Sequence, residues 1–259
     1  MIKAIYLDFD ETLYSHRVEK IPDSALEALN IAHDKGIKIF ICTGRSLKEM
    51  LWFNLQNLKL DGIVLNNGQL GVDGDKKTIL FNRPISGELK KRCLKIFNDK
   101  RVSTYLATLN DIYLNFENDA VRKTQSGFSS PVPRVKEYEG EDIYMISTFF
   151  DNEADKQYVY NYLQEYAFIT TWSEGALDII SKESNKSSGI DDMNKVFGIS
   201  AEETMAFGDN FNDVDMLEHC GIGVAMGNSN KSALDVADYI TSDIDENGIY
   251  NALKHFEII

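Results

Sequence analysis

The stretch Ile5-Tyr6-Leu7-Asp8-Phe9-Asp10-Glu11-Thr12-Leu13, near the start of a 259-residue chain, is an apolar run that ends in two carboxylates. Ile2 to Leu7 is β-branched, aromatic and almost uncharged, and reads as a short buried strand. Residues two apart on a strand point to one side, so Asp8 and Asp10 emerge together where the strand ends. In open α/β sheets that carboxyl end is where ligands bind. Two carboxylates this close need a cation or a shared proton. One of them can attack while its neighbour moves a proton.

Working outward, the first third alternates strand and helix. Asp23 to Lys35 places Leu26, Leu29 and Ala32 on one face between Pro22 and Gly36, which predicts a helix. Ile37 to Cys42 predicts a second strand, and Ser46 can cap a helix running to about Leu58. Ile63-Val64-Leu65 predicts a third strand, closed by the turn signal Asn66-Asn67-Gly68. A βαβαβ opening argues for a parallel sheet with helices on both faces.

The middle, from about Arg83 to Lys182, is rich in Tyr, Phe, Lys and Glu. A helix is expected at Ser86 to Asp99, then strands at Val102 to Ala107, Ile112 to Phe116 and Ile143 to Phe150. A helix at Ala154 to Tyr166 and strands at Phe168 to Trp172 and Ala176 to Ile180 follow, and Pro131-Val132-Pro133 marks an irregular loop. The last third returns to tight alternation. Ser187 or Ser188 can cap a helix with Ile190, Met193, Val196 and Phe197 on its apolar face. Strands at Thr204 to Phe207, Gly221 to Ala225 and Tyr239-Ile240 alternate with helices at Asn212 to His219, Ser229 to Ala237 and Gly248 to Phe256. The expected fold class is therefore α/β: a Rossmann-like parallel-sheet core, 1–82 and 183–259, with an inserted α+β domain, 83–182.

A hydrophobic content of 43% gives ample core for two such domains. There is no long uncharged apolar segment, so no membrane span is expected. Met1-Ile2-Lys3-Ala4 carries no cleavable-signal pattern. Cys42, Cys93 and Cys220 are scattered, without Cys-x-x-Cys spacing, so neither a disulfide framework nor a thiolate zinc site is indicated, and a cytoplasmic location is expected. The net charge of −14 opposes nucleic-acid and anionic-membrane partners. Any anionic substrate must be held by local cations.

Four segments carry chemistry. Asp8-Phe9-Asp10-Glu11-Thr12 closes the first strand, Thr43-Gly44-Arg45 follows the second, Lys186 precedes a helix, and Gly208-Asp209-Asn210-Phe211-Asn212-Asp213 follows Thr204 to Phe207. A parallel sheet brings the ends of its strands to one edge, so these segments can meet. Carboxylates, a lysine and a hydroxyl suit Mg²⁺ and a phosphoryl group. In this, the chain resembles the haloacid dehalogenase-like phosphatases, in particular the Cof-type hydrolases with a large inserted cap. The resemblance covers nearly the whole chain. It includes Ala225-Met226-Gly227-Asn228, Ala237-Asp238-Tyr239-Ile240-Thr241 and Glu246-Asn247-Gly248-Ile249.

The resemblance implies a phosphatase of small phosphorylated metabolites, sugar phosphates first. It implies that Asp8 is the nucleophile and forms an aspartyl-phosphate, and that Asp10 is the general acid and then the base. Thr43 would hydrogen-bond the phosphoryl group, and Lys186 would orient Asp8 and neutralise charge. Thr12 would position Asp10, and Thr12, Gly44, Arg45 and Asn212 would border the phosphate or substrate. Mg²⁺ would be held by Asp8, the Asp10 carbonyl and Asp209, with Asp213 second or through water. Two positions depart from the family pattern. Glu11 stands where Gly is usual, and Ser187-Ser188 follows Lys186 where Gly is usual. The rivals are a sugar phosphomutase or phosphotransferase using the same intermediate, and a receiver-like phospho-Asp signalling domain. Asp10 and the large insert weigh against the second.

Other motifs fail on spacing. Asp243 to Lys254 begins like a calcium loop but has Lys254 where a bidentate Glu is needed. Gly221-Ile222-Gly223 with Gly227 misses the dinucleotide spacing by one residue. His16, His33, His219 and His255 are dispersed, which argues against a histidine metal site.

Overall fold

The computed structural model describes residues 1–259 apart from Ser129 and Glu174, and every other side chain except that of Trp172. In chain order the elements are β1 (Ala4–Leu7), α1 (Asp23–Asp34), β2 (Lys38–Cys42), α2 (Leu47–Met50), β3 (Gly62–Leu65), β4 (Leu70–Asp73) and β5 (Ile79–Asn82). Next come α3 (Gly87–Asp99), β6 (Ser103–Thr108), β7 (Ile112–Leu114), α4 (Asp119–Gly127), β8 (Ile143–Phe149), α5 (Glu153–Leu163), β9 (Ala167–Ser173) and β10 (Ala176–Ser181). The chain then runs through α6 (Lys186–Phe197), β11 (Thr204–Gly208), α7 (Val214–His219), β12 (Ile222–Ala225), α8 (Lys231–Val236), β13 (Tyr239–Ile240) and α9 (Gly248–His255). These pack into two compact units. One is Met1–Gly44 with Asn54–Asn82 and Asn185–Ile259; the other is Arg45–Phe53 with Arg83–Ser184.

The first unit is built on a sheet of eight strands in the order β13-β12-β11-β1-β2-β3-β4-β5. β13 through β3 are parallel, with Leu7 opposite both Ile41 and Phe207, so β1, β2 and β11 end level with one another. All four residues of β1 are fully buried, as both-face coverage by helices requires. Tyr6, Phe40, Val64 and Ala206 pack against Ile190, Met193, Met216 and Leu217 from α6 and α7. The edge strands β4 and β5 form an antiparallel hairpin that the sequence reading had not placed. Gly71 and Gly74 there look like turn residues, but the Phe81 ring fills the space over Gly71.

The second unit is a five-stranded antiparallel sheet, β7-β6-β8-β10-β9. Leu89, Cys93, Ile96 and Phe97 of α3 and Val159 and Leu163 of α5 cover Leu106, Ile146 and Ile179 on one face. Val121 of α4 packs among Tyr105, Leu114, Met145, Phe149 and Ile180 on the other. α4 was not foreseen, because its buried side includes Thr124 and Gln125, which hide its amphipathic pattern. The helix expected from Ser46 to about Leu58 is corrected to a single turn, Leu47–Met50. Ser46 and Glu49 form a capping box, but Asn54 then accepts from the Gln56 N–H and draws the chain into a turn. All three cysteines are buried and unpaired. No helix among the described residues is long and apolar enough to cross a membrane.

Candidate active site

Asp8 and Asp209 are the first residues past the ends of β1 and β11, and Thr43 is the first past β2. Level strand ends therefore bring these three positions to one edge of the sheet. Lys186 arrives from the side, as the first residue of α6. Its cap is Asn185, not Ser187 or Ser188 as expected. The Asn185 Oδ1 accepts from the Ser188 N–H at 2.9 Å, and the Ser188 hydroxyl accepts from the Asn185 N–H at 3.0 Å. Asn is as good an N-cap as Ser, and capping two residues earlier puts Lys186 inside the first turn. That turn lies against the loop after β3. A Cβ on Gly68, whose φ is +96°, would stand 1.9 Å from the Asn185 carbonyl oxygen, and one on Gly189 would stand 2.7 Å from the Gly68 Cα. Two glycines thus let α6 approach closely enough for its lysine to reach the sheet edge.

The Lys186 ammonium is 1% exposed and donates to Asp8 Oδ1 and, at 2.6 Å, to Asp213 Oδ1. Asp8, Asp209 and Asp213 are all buried, with carboxylate oxygens within 4.8 Å of one another. Asp213 Oδ2 also accepts the backbone N–H groups of Asp209 and Asn210 at 3.0 and 2.9 Å. Thr12 donates to Asp209 Oδ1 at 2.7 Å rather than to Asp10. The Asp10 carboxylate meets His16 Nε2 at 2.6 Å, a partner that sequence reasoning missed because it weighed the histidines only as metal ligands. Asn212 donates to the Asn67 side chain at 3.3 Å, and Gly44 lies against that same side chain. Arg45 belongs to the second unit, where its guanidinium donates to the Ser130 hydroxyl and covers the Phe53 ring.

A family model described as haloacid dehalogenase-like hydrolase matches residues 5–253. The chain belongs to that family. A subclass IIB sugar phosphatase of the same superfamily, BT4131, has a solved structure that superposes with a TM-score of 0.86 at 34% identity, over 99% of this chain and 100% of that one. A Bacillus subtilis protein named as a phosphatase, YkrA, is 27% identical over 99% of this chain and 98% of its own length. A Streptococcus pyogenes protein named as a bifunctional phosphatase and peptidyl-prolyl cis-trans isomerase is 28% identical over all of this chain, which spans 54% of that relative's length. The enzyme class of this haloacid dehalogenase-like chain is phosphatase.

Charge in the site is unbalanced, with three buried carboxylates around one ammonium. Burial first, and then the Asp213 charge, push the Asp8 carboxyl well above the usual range despite Lys186. Burial, Asp213 and Asp8 push Asp209 up in the same way. Burial works to lower the Lys186 pKa, but Asp213 and Asp8 outweigh it and hold the ammonium charged. An all-oxygen cluster short of positive charge fits a hard divalent cation such as Mg²⁺. Both oxygens of Asp213 already accept hydrogen bonds, which leaves Asp8 and Asp209 with oxygen to offer.

Glu11, at the position where the family resemblance led to the expectation of Gly, adopts φ +60°. The turn holds that conformation through Glu11 N–H to the Tyr14 carbonyl at 2.9 Å and Asn228 to the Glu11 carbonyl at 2.8 Å. A side chain in the left-handed region costs about 1 kcal/mol, and the Glu11 carboxylate returns part of it by accepting from the His16 N–H at 3.2 Å. Glu11→Gly relieves the strain but frees the unfolded chain, so its urea midpoint should match a stability within about 1 kcal/mol of wild type. Glu11→Val should fall about 1–2 kcal/mol below it, because a β-branched residue is a true outlier there.

Proposed function

We propose that this phosphatase hydrolyses small phosphorylated metabolites, sugar phosphates first, through a phosphoryl group carried on Asp8, with Mg²⁺ as cofactor. The observation that carries the reading is the buried Lys186 ammonium held between Asp8 and Asp213, beside Asp209. Such an arrangement fixes the Asp8 carboxylate, shields it from water and sets the Lys186 charge against the burial that opposes its ionisation, as a buried nucleophile requires.

In the first step an Asp8 oxygen attacks phosphorus, the bond to the ester oxygen breaks, and Asp10 gives that oxygen its proton. In the second, Asp10 takes a proton from water, the resulting hydroxide attacks phosphorus, and Asp8 and inorganic phosphate are released. His16 holds the Asp10 carboxyl in one orientation through both steps. Thr43 serves the phosphoryl oxygens, and Asp213 acts through Lys186 and the N–H groups of Asp209 and Asn210. Gly44 and Asn212, both against Asn67, border the phosphate pocket. Asp8, Asp209 and the Asp10 carbonyl would hold Mg²⁺, which neutralises phosphoryl charge when bound. The second unit, Arg45 included, serves as a cap that excludes water and selects substrate. BT4131 is described as a sugar phosphatase, which favours that substrate class here.

Phosphate release from a panel of phosphorylated metabolites with Mg²⁺, with product analysis for isomerised sugar phosphates, tests the reading. No release from any member by folded, Mg²⁺-loaded protein would sink it. Cofactor dependence has its own sign. An unfolded Asp titrates near 4, whereas Asp8 is raised to about 7 and Asp209 to about 9. Their contribution to stability is thus fully present below pH 4 and lost as pH rises through 7 to 9. Metal-free protein should melt lower at pH 8 than at pH 5. Mg²⁺ at about a hundred times its Kd should restore about 5–10 °C at pH 8 and far less at pH 5. An equal Mg²⁺ effect at both pH values would count against the carboxylate cluster as its site.

A further inference from the structure

The second unit contains a cavity of about 520 Å³ whose lining includes Lys48, Trp52, Asp111, Pro133, Arg134 and Lys136. Three of these are cationic and one is acidic. Lys136 is paired with Asp111 and lies 4.3 Å from the Tyr113 ring centre. Burial works to raise the Asp111 pKa, but Lys136, the Ile112 N–H and Lys48 outweigh it, so the carboxylate is ionised and holds Lys136 in place. Lys48 and Arg134 have no ion-pair or hydrogen-bond partner for their side chains among the described residues. Exposed lysines such as Lys20, Lys59 and Lys231, by contrast, each find a carboxylate. The two unpaired cations share one concave place with the Lys136–Asp111 pair. Trp52, 39% exposed, offers it an aromatic surface, and Pro133 gives it a stiff wall.

We propose that this cavity is an anion-binding site that takes a phosphate or carboxylate group. A guanidinium fork and an ammonium left free by the fold are the donors such a group prefers, and the indole can lie against whatever ring or chain carries it. The cavity shares no residue with the Asp8 cluster and needs no turnover to be occupied. The same chemistry could come from a second anionic group on the substrate or from a free anion.

Trp52 supplies a local probe, because the chain has only two tryptophans. In a Trp172→Phe background, Trp52 fluorescence should respond saturably to inorganic phosphate. Adding Lys48→Met and Arg134→Gln should raise the midpoint about tenfold or more. No saturable response, or an unchanged midpoint in the charge-removed variant, overturns the site. Glucose 6-phosphate and glucose 1,6-bisphosphate then separate the sources. A higher KM for the bisphosphate alone, in the charge-removed variant, assigns the site to a second phosphate on the substrate. Unchanged KM for both, with phosphate binding at Trp52 lost, assigns it to a free anion. The KM comparison rests on the phosphatase reading and the fluorescence does not, so failure of either is recognised separately.

Discussion

Asp8→Asn is expected to remove phosphate release almost entirely, by a factor of about 10³ or more, while leaving the protein folded. The amide has nearly the shape of the carboxylate, so the Asp8 position stays filled and Lys186 still has an oxygen to donate to. What is lost is the anionic nucleophile. The stability effect should have the opposite sign from the activity effect. In metal-free protein the substitution reduces three crowded carboxylates to two around one ammonium. Burial and the Asp213 charge oppose ionisation of Asp8, so its removal should leave the melting temperature unchanged or higher at pH 8. The stabilisation by Mg²⁺ should shrink together with the number of ligands. Release assays and melting curves on the same samples check both parts. Retained turnover would move the nucleophile elsewhere, and a collapsed melting temperature would mean that Asp8 holds the fold together.

Lys186→Met is expected to be the most damaging single change for stability. The side chain is 1% exposed and, among the described residues, is the one cation within hydrogen-bond distance of both Asp8 and Asp213. Methionine fills similar volume but leaves three buried carboxylates without an ammonium. Breaking a buried pair by removing one partner costs about 3–5 kcal/mol, to be read from the urea midpoint at pH 8. The loss should be smaller at pH 5, where the carboxylates take up protons instead. Lys186→Arg keeps the charge but brings a larger, planar group into a filled space, so it should not restore activity. A midpoint unchanged at pH 8 would show that the carboxylates are already neutral without the lysine.

The strands of the first unit were legible because each is a short apolar run followed directly by chemistry-bearing residues: Leu7 by Asp8, Cys42 by Thr43, Gly208 by Asp209. Periodicity and order sufficed for these. The β4–β5 hairpin was not legible, because Gly71 accommodates a ring from Phe81 across the sheet, and no local pattern reports on that. In the site, the pairing of Lys186 with Asp8 spans 178 positions and was reached through motif order rather than any local signal. Asn185, Ser187 and Ser188 are all good N-cap residues, so local chemistry alone does not separate the Asn185 cap from its neighbours. Strand alternation predicted that Asp8 and Asp10 would emerge together. The strand ends at Leu7, however, and the chain turns at Glu11, so the two carboxylates find different partners, Lys186 and His16. That divergence gives two like residues different environments.

The chain passes between its two compact units four times, because Arg45–Phe53 belongs with Arg83–Ser184 rather than with the residues on either side of it. The second unit is therefore not a single cassette. A chimera that exchanged only 83–184 with a relative would import a sheet shaped for a foreign 45–53 segment and leave the native one without its packing partners, Ser130 among them. Exchange of this unit should preserve folding only when two separated stretches travel together, one of them nine residues long and beginning just past Thr43. Specificity in this lineage should thus have drifted by point substitution within the unit more readily than by wholesale exchange.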